Sequence, residues 1–524
     1  MNKSEFKKII SMFLFVSFIT IFVGSTSNVH ADPSYSAEKA QIQTFEDKKD
    51  VSTVKCWTIK LKYPVDKNYL SNFNLITVKD PNGLLLDTKL STSDDGKYIY
   101  VSPPEGGYES GQSYYINISK DLKFIDKTKS LKNPVQMKFT TTNMETINID
   151  ENSPISKSNN IFSFNLIKNL ADKDKDENMI ISPLSISSLL SMTQNGESGK
   201  AKQEILNCIG LKDVSDNDIN LQYYSLFNYY NNLKSTDLQS ANSIWLNKQI
   251  SFNDDFKNKA QKYYDSQINS EDFNDSQTVN KINQWVDQST KGQIKKIIDT
   301  ISSDDAAILI NSIYFKGTWL NKFSPYNTKK EQFTLSDGKK IDVDNMENTS
   351  YVNYVKGTDF QAISLPYYDN MEMDIFLPNT GINADDFLQS ITAENFNKWT
   401  NDFKRTYVAQ KIPKFKIEYG TDLKDVLKAL GMNEAFDVNN TDSKVIEGSS
   451  YISDIRHKAC IDVNEQGTKA AAVTSEIVAT ASPTTPPKNP VDFKVNRPFI
   501  FTIRDNKTGI VLFIGKVENP TADN

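Results

Sequence analysis

Residues 465–487, EQGTKAAAVTSEIVATASPTTPP, constrain the fold of this 524-residue chain more than any other stretch. They bring a glycine, one lysine, three consecutive alanines and small β-branched residues into a proline cluster. On either side stand firmly apolar, strand-like blocks, RHKACIDVNE before and VDFKVNRPFIFTIRDNKTGIVLFIGKVENP after. Taken alone, the piece reads as an alanine-rich linker or a surface helix. Held at both ends by folded chain, it reads instead as an exposed loop, the kind of segment on which function concentrates.

The rest of the chain falls into three textures. At the start, MNKSEFKK carries Lys3, Lys7 and Lys8 ahead of the apolar run Ile9–Val23, and Val29-His30-Ala31 supplies a small-residue cleavage site. This is the pattern of a secretory signal over 1–31, cut after Ala31. A membrane anchor is the alternative, but the apolar run is shorter than the ~20 residues that cross a bilayer. Residues 38–142 then show short alternating segments at Cys56–Leu61, Leu75–Lys79, Leu84–Asp87, Tyr98–Val101, Tyr114–Ile118 and Val135–Thr140. Turn clusters such as Asp80-Pro81-Asn82-Gly83 separate them, which predicts a β-sandwich. Residues 143–156 are polar and without period and read as a linker.

From 157 to 520 helix-period stripes mix with buried-strand runs, which predicts an α+β domain. Val279, Ile282, Trp285 and Val286 form one stripe. Leu423, Val426, Leu427 and Leu430 form another, capped by Thr421-Asp422 and ended by Gly431. Ala306–Phe315, Met371–Leu377, Arg497–Arg504 and Gly509–Gly515 read as strands.

Several function classes fall away. A formal charge of −6 without a basic run argues against a nucleic-acid surface. Cys56, Cys208 and Cys460 lie too far apart for a metal site or a disulfide framework. Once the signal leaves with His30, His457 is the one remaining histidine, so a Ser-His-Asp triad would hang on it alone. No GxSxG, HExxH, CxxC or P-loop pattern occurs, and a hydrolase fits poorly. Neither cofactor nor metal is expected.

Two resemblances add to this reading. WTIKLKYPVD, ITVKDPNG, IYVSPP, YESGQSYYINI and VQMKFTT resemble the bacterial Ig-like domain of the SbsA type, which implies a spacer or an attachment unit over 38–142 with possible surface or wall contact. NEQGTKAAAVT resembles the reactive-loop hinge of the serpins. NMIISPLSISSLLSM, AAILINSIYFKGTW, KIPKFKIEYGTDLKDVLKALGM and NRPFIFTIRDNKTGIVLFIGKVENP resemble further blocks of that family in the family's order across 157–520. The resemblance implies the serpin fold, three β-sheets with about eight or nine helices and an exposed reactive loop, here behind a small all-β sandwich.

The resemblance also implies a mechanism. A protease cuts the loop, and the loop inserts as a new strand into a preformed sheet before the acyl-enzyme hydrolyses; the inhibitor itself catalyses nothing. In a strand, alternate residues share a face, so the inward set would be Thr468, Ala470, Ala472 and Thr474. Ala471 and the charged Lys469 would face outward. Glu465 and Gly467 stand at the hinge, where glycine gives the chain freedom. Family counting puts the reactive bond at Ala481–Ser482, with Thr480–Ala481 as the alternative. A small residue there suits an elastase-like or subtilisin-like serine protease, and a cysteine protease is a further option. Ser182, Ser185, Asn311 and His457 match the shutter beneath the sheet; Trp319, Lys414 and Glu465 match the breach at its top. Two departures stand out, an inward Glu476 and a long Pro-rich segment after the bond. The overall expectation is a secreted, monomeric protease inhibitor that binds no nucleic acid. The alternative is a non-inhibitory binding or surface protein of the same fold, whose loop is cut without inserting.

Overall fold

The structure, a computed structural model, describes residues 42–522 apart from 54, 71–74, 94, 105–106, 251–252, 438, 440–450 and 469–488, together with 18–21 and 24–25. The chain divides into two units, Met1–Thr146 and Ile147–Asn524.

In the first unit, Trp57–Leu61 pairs antiparallel with Tyr98–Pro104, which pairs in turn with Thr88–Thr92; Phe18–Ile21 runs parallel along the other side of Trp57–Leu61. A second sheet is centred on Val135–Thr141 and Ser113–Ile118, with Ile76–Lys79 outside them. Burial alternates along Trp57–Leu61 and along Val135–Thr141, the period a strand with one core face demands. Inward residues of both sheets, including Trp57, Ile99, Ile116 and Phe139, share one apolar core. The strand expected at Leu84–Asp87 does not form. Asp80 Oδ1 accepts a hydrogen bond from Leu84 N at 2.7 Å, and Gly83 turns the chain at φ +85°, so Leu85 makes only an isolated bridge to Lys79. The strand follows instead at Thr88–Thr92.

The second unit begins with Ile149 already in its core. Helix α1 (Pro154–Lys173) buries Phe162, Leu166, Ile167 and Leu170. Strand β1 (Met179–Ile181) leads into α2 (Pro183–Thr193), every residue of which is buried. A helix buried all round needs its polar groups met, and two of its serines bond back to its own carbonyls, Ser187 to Leu184 O at 3.0 Å and Ser188 to Ser185 O at 2.7 Å. The strands that follow are β2 (Thr236–Asn247), β3 (Gln267–Glu271), β4 (Ala307–Thr318), β5 (Lys329–Thr334), β6 (Lys340–Lys356), β7 (Phe360–Pro366), β8 (Met371–Pro378), β9 (Lys404–Pro413), β10 (Phe415–Asp422), β11 (Asp454–Asn464), β12 (Gly467–Thr468), β13 (Val491–Lys494), β14 (Phe499–Asp505) and β15 (Val511–Val517).

They form two sheets. A nine-stranded sheet runs β1-β15-β14-β8-β7-β6-β9-β13, with β5 also on β6. The resemblance implied three sheets in all; here β6 continues without a break from its partner β9 to its partner β7 and joins what would otherwise be two. The other sheet, of six strands, runs β3-β2-β4-β12-β11-β10. Helix α3 (Gln277–Ser289) covers one face of it, packing Ile282, Trp285 and Val286 with Ile308, Ile310, Tyr314 and Cys460. The opposite face, with Leu309, Ile313, Phe315, Ile455, Ala459 and Val463, belongs to the main core. Burial on both faces explains why these strands read as unbroken apolar runs. The stripe Leu423–Leu430 forms a helix at Lys424–Ala429, with Asp422 Oδ1 accepting from Lys424 N at 2.8 Å and Gly431, at φ +99°, ending it.

Candidate functional site

In the six-stranded sheet β4 and β11 lie side by side and parallel, directly paired from Ile308↔Asp454 to Tyr314↔Cys460. Above that point they part. The chain leaves β11 through Glu465-Gln466, turns back, and lays Gly467–Thr468 between them, antiparallel to both: Thr468 faces Gly317 on one side and Val463 on the other. A strand of two residues thus sits in a seam that is closed beneath it.

Local chemistry fixes this turn. Gly467 has φ +144°, and a Cβ there would fall 2.1 Å from Gly317 O, so only glycine fits. Trp319 N donates to Gln466 O at 3.1 Å, Phe323 N to Glu465 O at 3.0 Å, and Trp319 Nε1 to Asn464 O at 2.9 Å. Glu465, only 8% exposed, accepts from Thr328 Oγ1 at 2.7 Å and pairs with Lys414 Nζ at 3.1 Å. Burial alone would raise the Glu465 carboxyl, but the hydrogen bonds from Thr328 and Lys414 outweigh it and hold it below the ordinary range. Trp319 stacks on Tyr367 with ring centres 4.1 Å apart and an 11° interplanar angle. Tyr367 OH meets Thr468 Oγ1 at 2.6 Å.

Lower in the seam, Ser182, Ser185, Asn311 and His457 come together with no solvent contact. His457 Nε2 accepts from Ser182 N at 3.3 Å, which leaves the ring proton on Nδ1, 2.6 Å from Asn311 Oδ1. Asn311 Nδ2 donates to Ser185 Oγ at 2.5 Å and to Asn242 Oδ1 at 2.6 Å. Ser182 Oγ caps α2 by accepting from Ser185 N and donates to Leu512 O at 2.7 Å. The cluster therefore ties β4 and β11 to α2 and to β15. Burial pushes the imidazole down to about 3, so the ring is neutral.

The hinge residues Glu465, Gly467 and Thr468 lie together at the top of the sheet with Trp319 and Lys414. Ala470, Ala471 and Ala472, the awkward Glu476, and the bond candidates Thr480, Ala481 and Ser482 lie outside the described residues, as does most of the 1–31 leader. Sequence reasoning missed Tyr367, Thr328 and Asn242, each of which bonds a residue that it picked out. Their contacts join residues 69 to 137 positions apart, and no local pattern signals them.

What the fold and this site define is a protein whose six-stranded sheet is parted at one end by a short strand of its own chain. A family model described as serpin (serine protease inhibitor) matches residues 157–520. Antithrombin-III of Mus musculus is 33% identical over 389 residues, 70% of this chain and 82% of that protein. A serpin-like protein of Methanosarcina acetivorans is 33% identical over 380 residues, 71% and 87% of the two chains. The crystal structure of a thermophilic serpin, tengpin, in the native state superposes with a TM-score of 0.66 at 34% identity, over 72% of this chain and 96% of that one. This chain belongs to the family so described, the serpins.

Proposed function

We propose that the protein is a secreted inhibitor that traps a serine protease as an acyl-enzyme by drawing its cleaved loop down the seam between β4 and β11. The carrying observation is the seam itself, closed by parallel pairing below and held apart above by Gly467–Thr468. Parallel pairing is slightly the weaker kind, and each pair given up would be replaced by two antiparallel ones. Continuing the register of Thr468 would set Ala470 between Phe315 and Ile461, Ala472 between Ile313 and Ala459, and Thr474 between Asn311 and His457. Small side chains suit all three places, since the flanking positions are buried. In this reading Glu465, Trp319 and Lys414 form the breach, Ser182, Ser185, Asn311 and His457 the shutter, and Ala481–Ser482 the reactive bond, with Thr480–Ala481 second. A small residue at the bond suits an elastase-like or subtilisin-like enzyme. Cleavage after Ala31 would release the leader, and residues 38–142, an Ig-like module, would act as a spacer or wall contact on a monomeric inhibitor.

The test is to mix the protein with pancreatic elastase or subtilisin and look for a 1:1 complex that survives denaturant, then to map the cut by mass. Turnover of the loop with no complex refutes the reading. One observation favours a second, non-inhibitory reading. The same register sets Glu476 between Leu309 and Ile455, both buried in the main core, and a carboxylate without a partner is costly there. Heating the loop-cleaved protein separates the two: a large rise in melting temperature reports insertion, and no rise reports a loop that stays out.

A further inference from the structure

The hinge hangs on a hydroxyl pair to which the proposed mechanism gives no role. Tyr367 follows β7 in the nine-stranded sheet, yet its OH reaches Thr468 Oγ1 in the six-stranded one at 2.6 Å. Tyr367 is 2% exposed and Thr468 fully buried, and among the described residues each hydroxyl has the other as its hydrogen-bond partner. The Tyr367 ring is fixed by its stack on Trp319 and by an edge contact with Phe315 at 5.3 Å. Gly317 leaves it room, since a Cβ there would lie 2.9 Å from Tyr367 Cδ1. Thus the ring cannot follow the hinge if Gly467–Thr468 withdraws, and its hydroxyl would be left in an aromatic pocket without a partner. An unmet buried hydroxyl of this kind weights an equilibrium by about tenfold or more.

We propose that Tyr367 is a positioning residue, a catch that keeps Gly467–Thr468 seated between β4 and β11 and so biases the cleaved loop toward insertion over release. The seating rests on the geometry; the bias on insertion rests also on the inhibitory reading above. Tyr367→Phe keeps the stack and the volume and removes only the hydroxyl. Thr468→Val removes the other half of the pair at nearly the same size.

The test is hydrogen–deuterium exchange of the full, uncleaved chain over the peptide spanning Asn464–Thr468, for both single variants and for the double. Each single variant should exchange about tenfold faster than the parent, and the double no faster than either. Rates within twofold of the parent, or single effects that multiply in the double, overturn the catch. Against pancreatic elastase, Tyr367→Phe should raise the stoichiometry of inhibition and leave the association rate constant unchanged, a split that simple loss of stability would not produce. Faster exchange with unaltered stoichiometry overturns the bias on insertion. If the parent itself forms no complex, the inhibitory reading fails, and the exchange arm still decides the catch.

Discussion

Acid should weaken this protein through one imidazole. His457 is fully buried with Ser182 N–H pointing at Nε2, so a second ring proton would meet a donor, and the charge would have no counterion within the cluster. Its folded-state value of about 3 against an ordinary 6.5 means that the unfolded chain takes up the proton first. The stabilisation is fully present above pH 6.5 and is lost as pH falls from there toward 3. Between pH 7 and pH 5 linkage gives a loss of about 2 kcal/mol from this residue. Asp454 works the other way. Burial first, and then its neighbour Asp422, hold its carboxyl up at about 6, so protonation there favours the folded state over part of the same range. The parent's profile is therefore a sum, and the informative quantity is a difference. Urea unfolding of the first cooperative transition, followed by tryptophan fluorescence at pH 7 and pH 5, should show the parent losing about 2 kcal/mol more than His457→Gln. Parallel profiles, within about 0.5 kcal/mol, would refute the neutral, buried imidazole. If the variant does not fold, the proton NMR signal of His457 in the parent decides the same point, because it should not titrate above pH 4.

Three further outcomes follow from the hinge and its loop. Gly467→Ala should lose protection of the Asn464–Thr468 amides and cost about 2 kcal/mol or more, read by exchange and by urea midpoint, since the added methyl meets Gly317 O at 2.1 Å. Lys414→Met should lower the free energy of the first unfolding transition by about 1 kcal/mol, because among the described residues the nearly buried Glu465 then keeps only Thr328 as a side-chain partner. That loss should shrink as pH falls below 4.5 and the carboxyl is protonated, which a pH series checks. Glu476→Leu should raise the melting temperature of the loop-cleaved form and lower the stoichiometry of inhibition toward one; no change in either would mean that position 476 does not go between Leu309 and Ile455.

Much of the fold could be read from the residues because its strands are short, apolar and bounded by strong turn signals. Ala307–Thr318 and Met371–Pro378 lie close to where the apolar runs put them. What escaped the reading was non-local or rested on a single side chain. Leu84–Asp87 has strand composition, but one carboxylate, Asp80, curls it into a turn. The unbroken course of β6 through polar positions such as Asn348 and Thr349 is set by β9 pairing with it, and no hydrophobic pattern announces that. Of the site, the glycine and the threonine could be named from a motif of a few residues, and Glu465 and Lys414 from the family resemblance. The Trp319–Tyr367 stack could not, because it depends on two sheets meeting. The roles assigned along 469–488 remain part of the proposal.

The continuity of β6 bears on how motion can spread. At Asn353 and Tyr354 this strand is paired on both flanks, opposite Ser364 and Ile363 of β7 and opposite Arg405 and Lys404 of β9. A pull on β13, the far tether of the loop, therefore passes through β9 and β6 into β7 and β8 with no compliant gap. If the loop transfers as proposed, the nine strands would act as an anvil and the six-stranded sheet would be the part that gives. Spectroscopic labels paired across β4 and β11 should accordingly move apart during loop transfer, while labels paired across β7 and β9 keep their spacing.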